Sequence, residues 1–258
     1  MDHLLALHTW TDAPGTPLVL LHGFPLDHRM WADAARRLPE DIAVHALDLP
    51  GLGSSPTLPE VTLEAAADAV VATLAAAGVD RAVVAGLSMG GYAALALAER
   101  HPDLVAGLAL VDTKSTADGG AAREKRIVTA DEVERTGTVD AVLGMPGTIL
   151  GERSRVEQPA LVPTLEAWIT EQAPEGVAWS QRAMAARPDR TGVLEGYQGT
   201  SVVVVGSLDT VTPVSDAEHM ADALRSGPPV VLDGVGHMSA VEAPAEVAAV
   251  LADLMRRT

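Results

Sequence analysis

RAVVAGLSMGGYAALALAER, residues Arg81–Arg100, is the stretch whose reading decides the fold. Ala82–Ala85 is an apolar run that reads as a buried strand, and Tyr92–Ala98 reads as a helix rich in small residues. Between them lies Gly86-Leu87-Ser88-Met89-Gly90. A serine flanked by glycines where a strand turns into a helix is the nucleophile-elbow arrangement. The turn is so tight that side chains two residues to either side must be very small, which Gly86 and Gly90 satisfy, while Gly91 lets the helix lie close to the sheet. The Ser88 hydroxyl is thereby held above the sheet at the positive end of a helix, beside a backbone N–H able to receive an oxyanion.

The chain around this corner has 258 residues, enough for one large α/β domain or for a core with an insertion. Eighteen Lys and Arg stand against 35 acidic residues, a formal net charge of −17. Such a surface repels phosphate backbones and anionic bilayers, so neither nucleic acid nor membrane is expected as a partner. There are no cysteines, which excludes disulfides, thiol catalysis and Cys-ligated zinc. MDHLLALHTW lacks the basic region and long apolar core of a signal peptide, and the uncharged run Ala82–Ala98 is short of a membrane span. A cytoplasmic protein is expected.

Outward from the elbow, short apolar runs alternate with helical stretches. Leu4–Trp10, Leu18–Leu21, Ile42–Leu47 and Gly107–Val111 read as strands, and Arg29–Leu38 (capped by Asp27) and Leu63–Ala77 (ended by Gly78) as helices. That rhythm predicts a mostly parallel sheet with helices on both faces. It breaks after Thr113. From Lys114 to Gly199 only helical stretches appear, before strands resume at Ser201–Val205 and Pro229–Leu232 and a last helix spans Ala245–Arg256. The expectation is an α/β core built from residues 1–113 and 200–258, with residues 114–199 as a helical cap inserted after the sixth strand. A second independent domain is the other reading of that middle segment.

Two further residues complete a chemical set. Asp209 lies just past the strand Val202–Val205, where active-site loops of parallel sheets gather, and His237 sits on a glycine-hinged loop before the last helix. The order Ser88, Asp209, His237 is the one expected for this elbow class. A serine hydroxyl is a poor nucleophile at neutral pH, so His237 is needed to take its proton, and Asp209 to fix the imidazole tautomer and steady the imidazolium. The oxyanion formed by attack needs two donors. Met89 N–H, next in chain to the serine, is one; Phe24 N–H, in the loop His22-Gly23-Phe24 after an early strand, is the other. Asp112 competes with Asp209 for the acid, because it also ends a strand on the same side.

With these residues in place, the chain resembles the α/β-hydrolase family along nearly its whole length. The stretches carrying the resemblance are LLHGFPLDHRMW (Leu20–Trp31), LDLPGLGSS (Leu47–Ser55), AGLSMGGY (Ala85–Tyr92), VVVVGSLDTVTP (Val202–Pro213) and DGVGHMSAVEAP (Asp233–Pro244). The opening and closing stretches are similar to small bacterial esterases, enol-lactonases and cofactor-free haloperoxidases. Serine at position 88 sets the chain apart from the haloalkane dehalogenases and epoxide hydrolases, relatives with aspartate there. The expected activity is hydrolysis of a small carboxylic ester or lactone through an acyl-enzyme on Ser88, with no cofactor. Two alternatives stay open: the same three residues used for C–C hydrolysis or a lyase or cyclase step, and a ligand-binding protein that barely turns over.

The remaining candidates have two readings each. His22 either holds the oxyanion loop or touches substrate. Leu143–Leu150, apolar with hinge residues at both ends, is either a lid that brings Leu143 and Met145 to an acyl pocket or packing of cap on core. Trp168 and Trp179 either form cap core or face substrate, and Met238, beside His237, is placed with the substrate contacts. Arg123, Lys125 and Arg126 are either a solvated helix face or a site capturing a substrate carboxylate. Asp48 is read as bracing the loop Asp48–Ser55, and His28 as the exposed first turn of a helix. His3, His8, His45, His101 and His219 lack metal-ligand spacing, so no metal is expected. Gly51–Ser55 lacks the further glycine and the Lys-Ser/Thr of a phosphate cradle and reads as a turn.

Overall fold

The short apolar runs assemble into one sheet in a computed structural model that describes residues 4–258; His3 lies outside the described residues. Its strands are β1 (Leu7–Thr11), β2 (Leu18–Leu21), β3 (Val44–Leu47), β4 (Ala82–Leu87), β5 (Val105–Val111), β6 (Thr200–Gly206) and β7 (Val230–Leu232). They lie side by side in the order β1-β3-β2-β4-β5-β6-β7, every pair parallel except β1 with β3. Every residue of β4 and β5 is buried, as a parallel strand covered by helices on both faces must be.

A 3-10 turn (His28–Trp31) leads into α1 (Ala32–Ala35), so the helix foreseen over Arg29–Leu38 is real but shorter and tighter at its start. The Asp27 carboxylate caps that turn by accepting from Arg29 N at 3.0 Å. α2 (Leu63–Ala76) ends at Gly78, whose φ of +77° is the left-handed conformation that stops a helix. α3 (Met89–Arg100) follows the elbow and packs on β2, β4 and β5 with all ten residues from Met89 to Ala98 buried. Near the C-terminus, α11 (Val214–Leu224), α12 (Ser239–Glu242) and α13 (Pro244–Arg257) complete the core, α13 against β5, β6 and α1.

Between β5 and β6 come seven helices: α4 (Gly120–Thr136), α5 (Asp140–Leu143), α6 (Pro146–Ile149), α7 (Glu152–Glu157), α8 (Leu161–Thr170), α9 (Pro174–Ala186) and α10 (Thr191–Gly196). The helical insertion therefore follows the fifth strand, not the sixth as expected. The reason is that β1 alone supplies the antiparallel edge and bonds directly to β3, so only five strands precede it among the described residues. α6, α7 and α10 escaped the sequence reading because one or two turns carry too few residues to show a helical period.

The insertion is docked on the core by specific groups. The Trp179 indole N–H donates to Leu58 O at 2.9 Å, and the Gln172 amide bridges Gly53 N and the Asp27 carboxylate at 2.8 Å each. Gly176, in the first turn of α9, lies backbone-to-backbone on Gly51 with no room for a Cβ. None of the described helices is long and apolar enough to cross a membrane.

The closest backbone approach at the elbow makes one substitution diagnostic of the fold. A Cβ on Gly90 would run into the Leu21 carbonyl oxygen of β2, and rigid backbone cannot step aside. Gly90→Ala is expected to lower the unfolding free energy by about 1–3 kcal/mol in urea titration, the usual cost of overpacking. An unchanged midpoint would show that the corner is looser than drawn here.

Candidate active site

Sheet register explains why the candidate residues meet. Leu21 of β2 pairs with Gly86 of β4, so the loops leaving those strands emerge side by side where the strand order reverses, the crevice position of open α/β sheets. Val111 of β5 pairs with Leu87 and with Val204 of β6, and Gly206 of β6 with Leu232 of β7. The carboxyl ends of five neighbouring strands thus carry His22–Phe24, Ser88, Asp112, Asp209 and His237 to one rim.

Ser88 has φ 52° and ψ −111°, a conformation that L residues avoid; such strain is worth on the order of 1–3 kcal/mol. It persists because the neighbours leave no alternative: a Cβ on Gly86 would collide with the Gly90 carbonyl, and Ser88 N donates to Val111 O at 3.0 Å. Thr113 Oγ1 donates to Ser88 O at 2.8 Å and fixes the peptide on the other side.

The Ser88 hydroxyl lies 2.9 Å from His237 Nε2, and His237 Nδ1 lies 2.8 Å from Asp209 Oδ2. Asp209 is itself fixed, because its Oδ1 accepts from Val211 N (2.8 Å) and Thr212 N (2.9 Å) and its Oδ2 from the Thr212 hydroxyl (2.8 Å). Burial pushes the Asp209 carboxyl up, but hydrogen bonds from His237 and Thr212 together with the His237 charge outweigh it, leaving the group below the ordinary carboxylate value. For His237, burial favours the neutral ring, while the hydrogen bond and charge of Asp209, aided by Asp112 and Glu242, bring the net shift above the usual 6.5.

Asp112, the competing acid, does not reach the imidazole by hydrogen bond. Its carboxylate accepts from Gly206 N at 3.1 Å and Ser239 N at 2.9 Å, so it ties the loop before Asp209 to the loop after His237. Fully buried and close to Asp209, its carboxyl is pushed up to about 7. Sequence reading gave no role to Glu242, which the structure makes a second brace: it accepts from Gly151 N (2.9 Å), Gly236 N (3.0 Å) and Met238 N (3.0 Å). The backbone on both sides of His237 is thereby gripped by one carboxylate, and His237 N donates to Ile149 O of the insertion at 2.7 Å. A glutamate five residues after a loop histidine was the available signal.

The loop expected to supply an oxyanion donor packs against the elbow. A Cβ on Gly23 would stand 3.5 Å from Ser88 Cβ, so the His22–Phe24 loop abuts the serine. Met89 is the first residue of α3, where a backbone N–H has no acceptor within the helix. His22 is not a substrate contact: it is fully buried, its Nδ1 is 3.0 Å from Gly23 O, and its Nε2 accepts from Leu49 N at 2.7 Å. Desolvation holds its pKa down, in keeping with a neutral ring that clamps two loops.

His28 and His8 also differ from expectation. Rather than standing apart, they converge on buried Asp48, with His28 Nδ1 at 2.7 Å from Oδ1 and His8 Nε2 at 3.0 Å from Oδ2. Asp48 also accepts from Ser54 N at 2.9 Å, bracing its own loop. These three side chains put ligand-type atoms within 4.8 Å of one another. The two rings are stacked, 3.5 Å apart and 14° from parallel, so their in-plane lone pairs do not meet on one ion. The arrangement suits two rings donating to a shared carboxylate, not coordination.

A cavity of about 320 Å³ opens between Phe24, Val211 and the insertion, with Met145, Ile149, Lys125 and Arg126 on its walls. Met145 lines this cavity, and the remaining four residues expected at the substrate do not. Leu143 packs half-buried on the core one turn away, Trp168 lies under the Arg29 guanidinium (5.3 Å), and Trp179 is spent on the Leu58 bond. Met238 is buried behind His237 with its N–H on Glu242. Each of the four is apolar or aromatic and so is drawn to packing, which the sequence does not distinguish from a pocket wall.

A domain of this topology, with a serine at the strand–helix corner, defines the α/β-hydrolase class, and the model of the Alpha/beta hydrolase family matches residues 18–250. The chain belongs to that family. It is 30% identical over 253 residues to a pimeloyl-[acyl-carrier protein] methyl ester esterase of Aromatoleum aromaticum, covering 93% of this chain and 98% of that one. It is 25% identical over 230 residues to 3-oxoadipate enol-lactonase 1 of Acinetobacter baylyi, covering 88% and 84%. Among solved structures, a thermophilic esterase from Thermogutta terrifontis, determined with malate bound, superposes with a TM-score of 0.92 at 34% identity over 98% of this chain and 94% of that one.

The electrostatics of His237 can be read without any substrate. In an NMR titration its ring is expected to lose its proton above 6.5. Because the Asp112 charge stabilises the imidazolium, Asp112→Asn should move that titration to lower pH. A titration identical in the variant would mean that Asp112 is neutral over the whole range.

Proposed function

We propose that this α/β hydrolase cleaves a small carboxylic ester or lactone through an acyl-enzyme on Ser88. The chain is a carboxylic-ester hydrolase; the serine nucleophile and the covalent intermediate are the finer part of this reading. The observation that carries it is the unbroken line from the Ser88 hydroxyl through His237 to Asp209, with contacts of 2.9 and 2.8 Å.

As Ser88 Oγ bonds to the ester carbonyl carbon, its proton passes to His237 Nε2, and the Nδ1–H stays on Asp209. The carbonyl oxygen becomes an oxyanion held by the Phe24 and Met89 N–H groups. His237 then gives its proton to the departing alcohol oxygen as the C–O bond breaks. A water attacks the acyl-enzyme by the same route in reverse roles, releasing acid and restoring the serine. Residues 114–199 act as a cap in this scheme, closing the acyl pocket with Met145 and Ile149 while residues 1–113 and 200–258 hold the reacting groups. A cavity of about 320 Å³, near the lower end of the usual range for ligand pockets, favours a compact substrate.

An active-site phosphonate is expected to add its mass to the peptide containing Ser88. Ser88→Ala should lower kcat for an activated ester by on the order of 10³ or more, and Asp209→Asn by about 10⁴. Undiminished turnover in Ser88→Ala would remove the nucleophile assignment. Fast hydrolysis of any acyl ester separates an enzyme from a ligand-binding relative. With pH, kcat/KM should rise as His237 becomes neutral, along a limb centred above 6.5 because Asp209 holds the imidazolium. A limb centred well below that value would place the base elsewhere.

A further inference from the structure

The walls of the cavity carry charge of one sign. Lys125 and Arg126 border it, and among the described residues no aspartate or glutamate does, although acids outnumber bases by 35 to 18 in the chain. Behind that wall, Asp118 is shared by three cations: Arg126 Nε at 2.6 Å, Arg187 Nη2 at 2.8 Å and Lys114 Nζ at 3.4 Å. One carboxylate cannot neutralise three bases, and their pull leaves Asp118, despite the opposing effect of burial, well below the usual carboxylate range. Arg187 is buried against the Tyr92 ring, 4.0 Å from its centre, so it cannot turn to solvent.

The two wall residues retain donors for a ligand. Arg126 uses Nε on Asp118 and Nη1 on Gln181 and Met184, which leaves Nη2 without a hydrogen bond among the described residues. Lys125 is exposed where it borders the cavity, and among the described residues its ammonium makes no ion pair. A solvated helix face explains a lone exposed lysine, but not an arginine turned to a cavity beside a group of charges with a positive excess.

We infer that the cavity accepts esters whose acyl chain ends in a carboxylate, held by Lys125 and Arg126 while the ester end lies at Ser88. The substrate class is thus the monoester of a short dicarboxylic acid. This rests on the serine-hydrolase reading and narrows it. Arg126 is the deeper contact, fixed by Asp118, and its free Nη2 edge meets the carboxylate with little loss of side-chain freedom. Lys125 adds a mobile charge at the wall, more sensitive to salt. The acid-rich surface elsewhere repels such a substrate, so the cavity is the place on the chain where it gains.

The test compares matched pairs of methyl esters: monomethyl esters of straight-chain dicarboxylic acids of increasing length, and methyl esters of the fatty acids of the same length. At low ionic strength the unmodified chain should favour the charged ester of the best length by about tenfold in kcat/KM, the worth of one charge-assisted contact, with the gain mainly in KM. Added salt should erode that preference. Lys125→Glu should reverse the charged-to-neutral ratio, and Lys125→Arg should retain it. Neutral esters hydrolysed as well as charged ones, or a ratio indifferent to Lys125→Glu, would overturn the inference and leave the serine hydrolase standing. Failure to hydrolyse either ester, with no phosphonate on Ser88, would overturn both.

Discussion

The corner at Ser88 is held by glycines pressed on backbone and on one threonine side chain. Gly86 sits on the Gly90 carbonyl, Gly90 on the Leu21 carbonyl, and Gly91 on Thr113, and none of the three has room for a Cβ. Those contacts force the serine into its strained conformation and lock the first turn of α3 against two strands at once. The hydroxyl is consequently aimed by the fold, not by its own rotamer preferences. Every distance in the site is measured from that point.

Around it, buried carboxylates do a single job in several places. Asp112 accepts from two loop amides, Glu242 from three, and Asp209 from two amides and a hydroxyl. A carboxylate offers about four acceptor directions, so it ties together loops that have no ladder to hold them. Asp48 does the same with two histidines and two amides. The loops are therefore rigid where a parallel sheet would otherwise leave them loose. Since Glu242 and His237 also bind Gly151 and Ile149, the insertion is coupled to the very loop that carries the imidazole.

Charge is distributed with the opposite logic on the surface and in the cavity. The chain carries a formal net charge of −17, whereas the cavity wall concentrates basic groups around a single aspartate. On α4, Arg126 faces the cavity while two of the helix's acids, Asp131 and Glu134, pair with Arg182 on the exposed side.

Local pattern was enough for much of the molecule. A serine between glycines, four valines leading into a loop aspartate, and a histidine preceded by two glycines announce their neighbours in the chain, since each needs only a strand end and a tight turn. The strand–helix alternation likewise set the fold class, because burial on both faces demands apolar runs. What sequence reading missed is everything decided at long range. His8, His28 and Asp48 meet only because β1 returns antiparallel beside β3. Asp209 and Asp112 each accept from two backbone amides, and only the tertiary structure shows that Asp209 alone also keeps an oxygen 2.8 Å from His237 Nδ1. Leu143, Trp168, Trp179, Met238 and Met145 are all apolar or aromatic, and only the tertiary structure shows that Met145 alone of them borders the cavity. Residue identity specifies chemistry and local conformation; which groups face each other across the rim is a matter of register and docking, which no stretch of chain carries by itself.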